Sequence, residues 1–118
     1  MLGIEEPLSG LETAELFKQH FISVSVEAIK EAIEVTNQAI LGALSEMKPG
    51  NNEKDIESRF HYEGSKRFGE PMFDTIIASG ANATVLHSIK NDEPLKDNEL
   101  VLLDLGIKVN GYGADISR

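Results

Sequence analysis

The residues of this chain best placed to do chemistry stand in its last stretch, "VLLDLGIKVNGYGADISR", residues 101–118. Asp104 interrupts an apolar run, and Asp115 follows beyond Asn110-Gly111. An Asn-Gly pair favours a type I′ hairpin turn, because both central residues of that turn need positive φ. With the turn there, Val109 opposes Tyr112, Gly106 opposes Asp115 and Asp104 opposes Ser117. Opposed residues share a face of the sheet, and so do residues two apart on one strand. Asp104 and Asp115 are therefore diagonal neighbours, with backbones about 7–8 Å apart. Both carboxylates can then reach one cation, or a pair of cations, lying between them, and Gly106 is expected to leave that space empty.

If the strand is buried, an ionised Asp104 within it requires compensation, since an unpaired buried carboxylate is costly. A bound cation would supply it. An ion pair with Arg118 would do so without metal, and a carboxylate at a strand end that is solvated or caps a turn needs neither. The sequence alone leaves these alternatives open. His87, in the short apolar pattern "TVLHSI", reads on its own as a core or edge residue. His20 and His61 fall on expected helices among charged neighbours, which places them on the surface. Asn82, Asn91 and Asp92 read as turn residues.

The elements that must hold the acids are two helices and a set of strands. Residues 1–10, with Gly3, Pro7, Ser9 and Gly10, form an irregular lead-in, and a short helix is expected from Leu11. From Ser25, a plausible N-cap, the apolar residues Val26, Ile29, Ile33, Ile40, Leu44 and Met47 follow helical spacing. That stripe predicts a helix of roughly six turns ending at Pro49-Gly50. A second helix is expected to start with Asn52 as its cap and to run toward Gly69. Beyond it, "MFDTIIASG", "TVLHSI", "ELVLLDLGIKV" and "YGADIS" read as strands. Helices followed by strands predict an α+β unit with the helices covering one face of a largely antiparallel sheet.

Composition narrows the classes. A chain of 118 residues is one small domain, too short for two domains with a cleft between them. The net charge of −9 argues against non-specific binding to nucleic acid or to an anionic membrane surface. Without cysteine there is no disulfide framework and no thiolate site, so any metal must be held by carboxylates and imidazoles. The start carries no signal-peptide pattern and no stretch is apolar enough to span a membrane, so a cytoplasmic location is expected.

The ordered series "FDTIIASGANATVLHSIKND" and "ELVLLDLGIKVNGYGADISR", with "PGNNE" upstream, resembles the metallopeptidases of the pita-bread fold, most closely the aminopeptidase P and prolidase side. The resemblance runs from about Val26 to Arg118. It implies half of a pita-bread fold, with helices on one face of a curved, mostly antiparallel sheet. Residues 1–24 are then a lead-in and short helix, and residues 25–118 the first half of the catalytic domain. It implies that Asp104 and Asp115 are the first two of five metal ligands, Asp115 bridging two divalent ions, and that His87 contacts substrate near the scissile bond.

Manganese is the expected metal, with cobalt and zinc as alternatives. Such ions activate water, polarise the carbonyl and hold the substrate amine. The parent is then an aminopeptidase that cleaves the Xaa-Pro bond at peptide N-termini. The remaining ligands, a histidine and two glutamates, belong to the second half, so the chain alone is expected to be inactive. Ser88 stands where an aromatic residue is common. Three further expectations follow: a homodimer through the exposed half-domain face; as an alternative, a catalytically dead domain that binds proteins; and, disfavoured by the two acids, a metal-free creatine-hydrolysing chemistry.

Overall fold

The computed structural model describes residues 10–84 and 91–118. Among these residues two helices, α1 (Gly10–Leu44) and α2 (Glu53–Lys66), precede six short strands. These are β1 (Glu70–Pro71), β2 (Ile76–Ser79), β3 (Val101–Leu105), β4 (Ile107–Val109), β5 (Tyr112–Gly113) and β6 (Ile116–Ser117), with a 3-10 turn at Gly80–Thr84. All pairings are antiparallel, and the strands form two three-stranded sheets in the orders β1-β4-β5 and β2-β3-β6. The strand pattern expected at "TVLHSI" lies, from Val85 on, outside the described residues.

Ser25 does not begin a helix. α1 runs unbroken for 35 residues, because no glycine or proline stands between Leu11 and Leu41 to stop it. Ser25 is instead satisfied in mid-helix by the hydroxyl of Tyr112, 3.1 Å away. The buried face also differs from the apolar stripe. Ala32, Val35, Thr36, Ala39 and Ala43 pack inward, while Val26, Ile29 and Ile33 are each more than two-fifths exposed. Small side chains win the inner face because they let α1 approach α2 and the strands closely, and close packing adds dispersion contacts that bulk would forfeit.

α2 follows its signals more closely. Asn52 caps it, accepting from the backbone N–H of Asp55 at 3.1 Å while the Asp55 carboxylate accepts from the Asn52 N–H at 2.8 Å. The core forms where Val35, Ala39 and Ala43 of α1 and Ile56 and Phe60 of α2 meet Ile77, Leu103, Leu105, Ile107 and Val109 of the sheets. Glu53 is fully buried at the start of α2, and its carboxylate accepts from both the N–H and the hydroxyl of Ser79, each at 3.1 Å. That contact ties α2 to the end of β2, the strand beside β3.

Candidate metal centre

Asn110 and Gly111 take φ of 52° and 82°, the left-handed pair that a type I′ turn needs. Val109 pairs with Tyr112, and farther down the same hairpin Asp104 pairs with Ser117. The register is the one the turn imposes. It phases the burial of β3 as well: Leu103 and Leu105 point into the core, and Asp104 between them points away from the helices and is half-buried. Asp104 is therefore not sunk in the core. Its strand is apolar because its other face is buried, and alternation delivers the acid to the helix-free face.

Two further expectations are corrected here. Gly106 does not leave open space, since a Cβ there would lie 1.8 Å from the carbonyl oxygen of Ala114 and 3.2 Å from the Phe73 ring. The hairpin bends at this point, which is why its two ends belong to different sheets. Arg118, in turn, makes no ion pair with Asp104 among the described residues. Its guanidinium donates to the Ser117 carbonyl at 2.8 Å, and Asp104 accepts from the Ser117 hydroxyl at 3.0 Å.

Asp115 is an exposed residue just beyond the bend. Its carboxyl is held above the ordinary carboxylate range, first by desolvation, then by the negative charge of Asp104 and by a hydrogen bond shared with the Asp104 carboxyl. The register sets the two acids on one face of the hairpin, and their shared hydrogen bond brings them together. Two hard oxygen donors that repel one another suit a divalent cation, which would relieve the repulsion. Among the described residues no group of three or more histidine, cysteine, aspartate or glutamate side chains gathers to complete such a site.

Asn91 and His61 do more than their sequence context suggests. Asn91 does take a left-handed turn conformation, but it is buried; its amide accepts from the Ile77 N–H at 2.9 Å and donates to the Thr75 carbonyl at 2.7 Å. His61 is half-buried, with Nε2 2.9 Å from the Thr75 hydroxyl. Together they pin the segment leading into β2, whose Ile76 pairs with Asp104. No local pattern encodes these bonds, which join residues 14 to 16 positions apart. His87 lies outside the described residues, as do Leu86 and Ser88.

Fold and hairpin define a class: an α+β domain in which a helical pair backs antiparallel sheets and two carboxylates converge at the sheet junction. Within it, the chain belongs to metallopeptidase family M24, which residues 27–118 match. It is 34% identical over 94 residues to the Xaa-Pro dipeptidase of Pyrococcus furiosus, covering 79% of this chain and 27% of that protein. Against the Xaa-Pro aminopeptidase of Escherichia coli K12 it is 33% identical over 94 residues, covering 79% of this chain and 21% of the relative. A solved structure of Escherichia coli aminopeptidase P in complex with substrate superposes with a TM-score of 0.77 at 33% identity, over 80% of this chain and 22% of that one. The chain thus spans about a quarter of the length of these relatives, and its fold is a portion of the pita-bread fold. Among the described residues no helix is long and apolar enough to cross a membrane.

Proposed function

We propose that this chain supplies the first half of a dinuclear-metal aminopeptidase that cleaves the Xaa-Pro bond at peptide N-termini. Residues 25–118 form that half-domain, Asp104 and Asp115 hold the metal, and His87 contacts the substrate. The observation that carries the reading is the convergence of the two carboxylates on the helix-free face of the hairpin. Divalent ions, manganese first among them, would supply Lewis acidity and an activated water. The chain's own part is to present two oxygen donors on one face, with the Ser117 hydroxyl steadying Asp104. Two carboxylates alone make an incomplete site, so peptide hydrolysis by the isolated chain is expected to be absent. A cytoplasmic location is part of the same proposal.

Calorimetric titration with Mn2+ tests this directly. The wild type is expected to take up the ion weakly and Asp115→Ala to show no measurable uptake. Equal, negligible heats from both would remove the metal-site reading and leave the protein-binding domain as the better one.

The same reading includes a homodimer through the exposed half-domain face, the helix-free side to which Asp104 points. A second copy set against that face would bring two Asp104/Asp115 pairs together. Sedimentation velocity with and without Mn2+ is expected to show a dimer that the metal strengthens; a monomer under both conditions sinks the proposal.

A further inference from the structure

The hairpin hides a substitution in its own hydrogen-bond ladder. Leu103 and Arg118 exchange both backbone bonds, each at 2.8 Å. In an antiparallel ladder, mutually bonded pairs alternate with unbonded ones. The shared register therefore makes Leu105/Ile116, Ile107/Ala114 and Val109/Tyr112 the bonded pairs. At Ile107 only half of the exchange survives. The Ala114 N–H donates to the Ile107 carbonyl at 3.2 Å, but the Ile107 N–H donates to the Thr36 hydroxyl of α1 at 3.1 Å. The Ala114 carbonyl that should have accepted it lies over Gly106 instead.

Thr36 is fitted to this task. It is fully buried, and its hydroxyl proton is committed to the Ala32 carbonyl at 2.7 Å, which leaves an oxygen lone pair facing Ile107. Ala114 C=O and Asp115 N–H belong to one rigid peptide plane, so turning that carbonyl over Gly106 also resets the direction in which Asp115 leaves the backbone. We infer that Thr36 is a positioning residue for the Asp104/Asp115 pair: by taking the Ile107 N–H, it frees the Ala114 peptide to tip and bring Asp115 beside Asp104. This rests on the metal-site reading above. With Ala114 drawn back into a regular ladder, the bend at Gly106 would flatten and the two carboxylates would separate.

The experiment uses the full 118-residue chain, with Mn2+ binding followed by loss of the free-ion electron paramagnetic resonance signal and amide hydrogen exchange followed by NMR. Thr36→Val keeps the shape and removes the acceptor. It is expected to raise the Mn2+ Kd about tenfold or more, as loss of a group orienting a ligand commonly does, while Thr36→Ser stays within about threefold of wild type. Val35→Ala, a cavity on the same buried helix face, controls for general loosening and is expected to leave the Kd unchanged. Exchange at the Ile107 amide should quicken in Thr36→Val and not in Thr36→Ser. If Thr36→Val does not fold, Thr36→Cys, whose sulfur is a weak acceptor, takes its place against Thr36→Ser. A wild type that binds Mn2+ beside a folded acceptor-less variant with the same Kd overturns the role of Thr36 alone. A wild type that binds no Mn2+ overturns the metal-site reading and this role together.

Discussion

Gly106→Ala is expected to cost at least about 3 kcal/mol, a large part of what a small domain has to lose. The reason is the nature of the atom in the way. A methyl group at position 106 would meet the Ala114 carbonyl oxygen at 1.8 Å and the Ala114 carbonyl carbon at 2.9 Å. A flexible side chain could swing aside, whereas a backbone carbonyl can retreat only by moving its strand. Gly106 is held too: its own carbonyl accepts from the Met72 N–H at 2.9 Å, and the next residue is tied to α1 through Thr36. Gly111→Ala is the informative comparison. Nothing lies within 4 Å of a Cβ there, and the cost comes only from a φ of +82°, about 1–2 kcal/mol for an L-residue in left-handed conformation. Urea unfolding of both variants separates the cases by their midpoints. If Gly106→Ala is as mild as Gly111→Ala, the tipped Ala114 peptide is not held in solution.

What could be read from the residues was what short-range chemistry encodes. Asn110-Gly111 specifies its turn by backbone sterics, and every pairing below the turn follows by counting, down to Asp104 opposite Ser117. Asn52 and Asp55 specify the start of α2 by reciprocal bonds three residues apart. α1 was harder because it carries apolar residues on more than one face, so spacing alone could not choose the buried one. The choice fell to Ala32, Ala39 and Ala43, whose smallness matters only once α2 and the strands are in place. Ser25 had the composition of a cap, but its partner is a tyrosine 87 residues away. The bend at Gly106 depends in the same way on Thr36, separated from Ile107 by 71 positions. The two acids were therefore legible as a pair, while the devices that aim them were not.

Asp104→Asn is expected to separate stability from metal binding in opposite directions. In the wild type the negative charge of Asp104 bears on Asp115, whose pKa is raised. An acid whose pKa is raised on folding releases its proton more readily in the unfolded chain. It therefore opposes folding as pH climbs through and beyond that window, and the penalty disappears as pH falls below the unfolded value. Neutralising Asp104 removes the repulsion, while the amide oxygen of the introduced asparagine can still accept from the Ser117 hydroxyl. The metal-free variant should be slightly more stable than wild type at pH 7, by less than about 1 kcal/mol because exposed charges are screened, and its advantage should vanish in acid. Mn2+ uptake should move the other way and fall sharply, since one of the two anionic donors is gone. In the wild type, proton and cation compete for Asp115, so metal affinity should begin to weaken at a higher pH than for an ordinary aspartate. Thermal melts and Mn2+ titrations of both proteins across pH 4–7 measure the two effects together. A less stable Asp104→Asn would mean that the carboxylates do not face each other; a more stable one that still binds Mn2+ as wild type does would mean that they face each other for some other purpose. Stability gained together with affinity lost is the signature of acids kept close at a cost to the fold, as a site built for a cation requires.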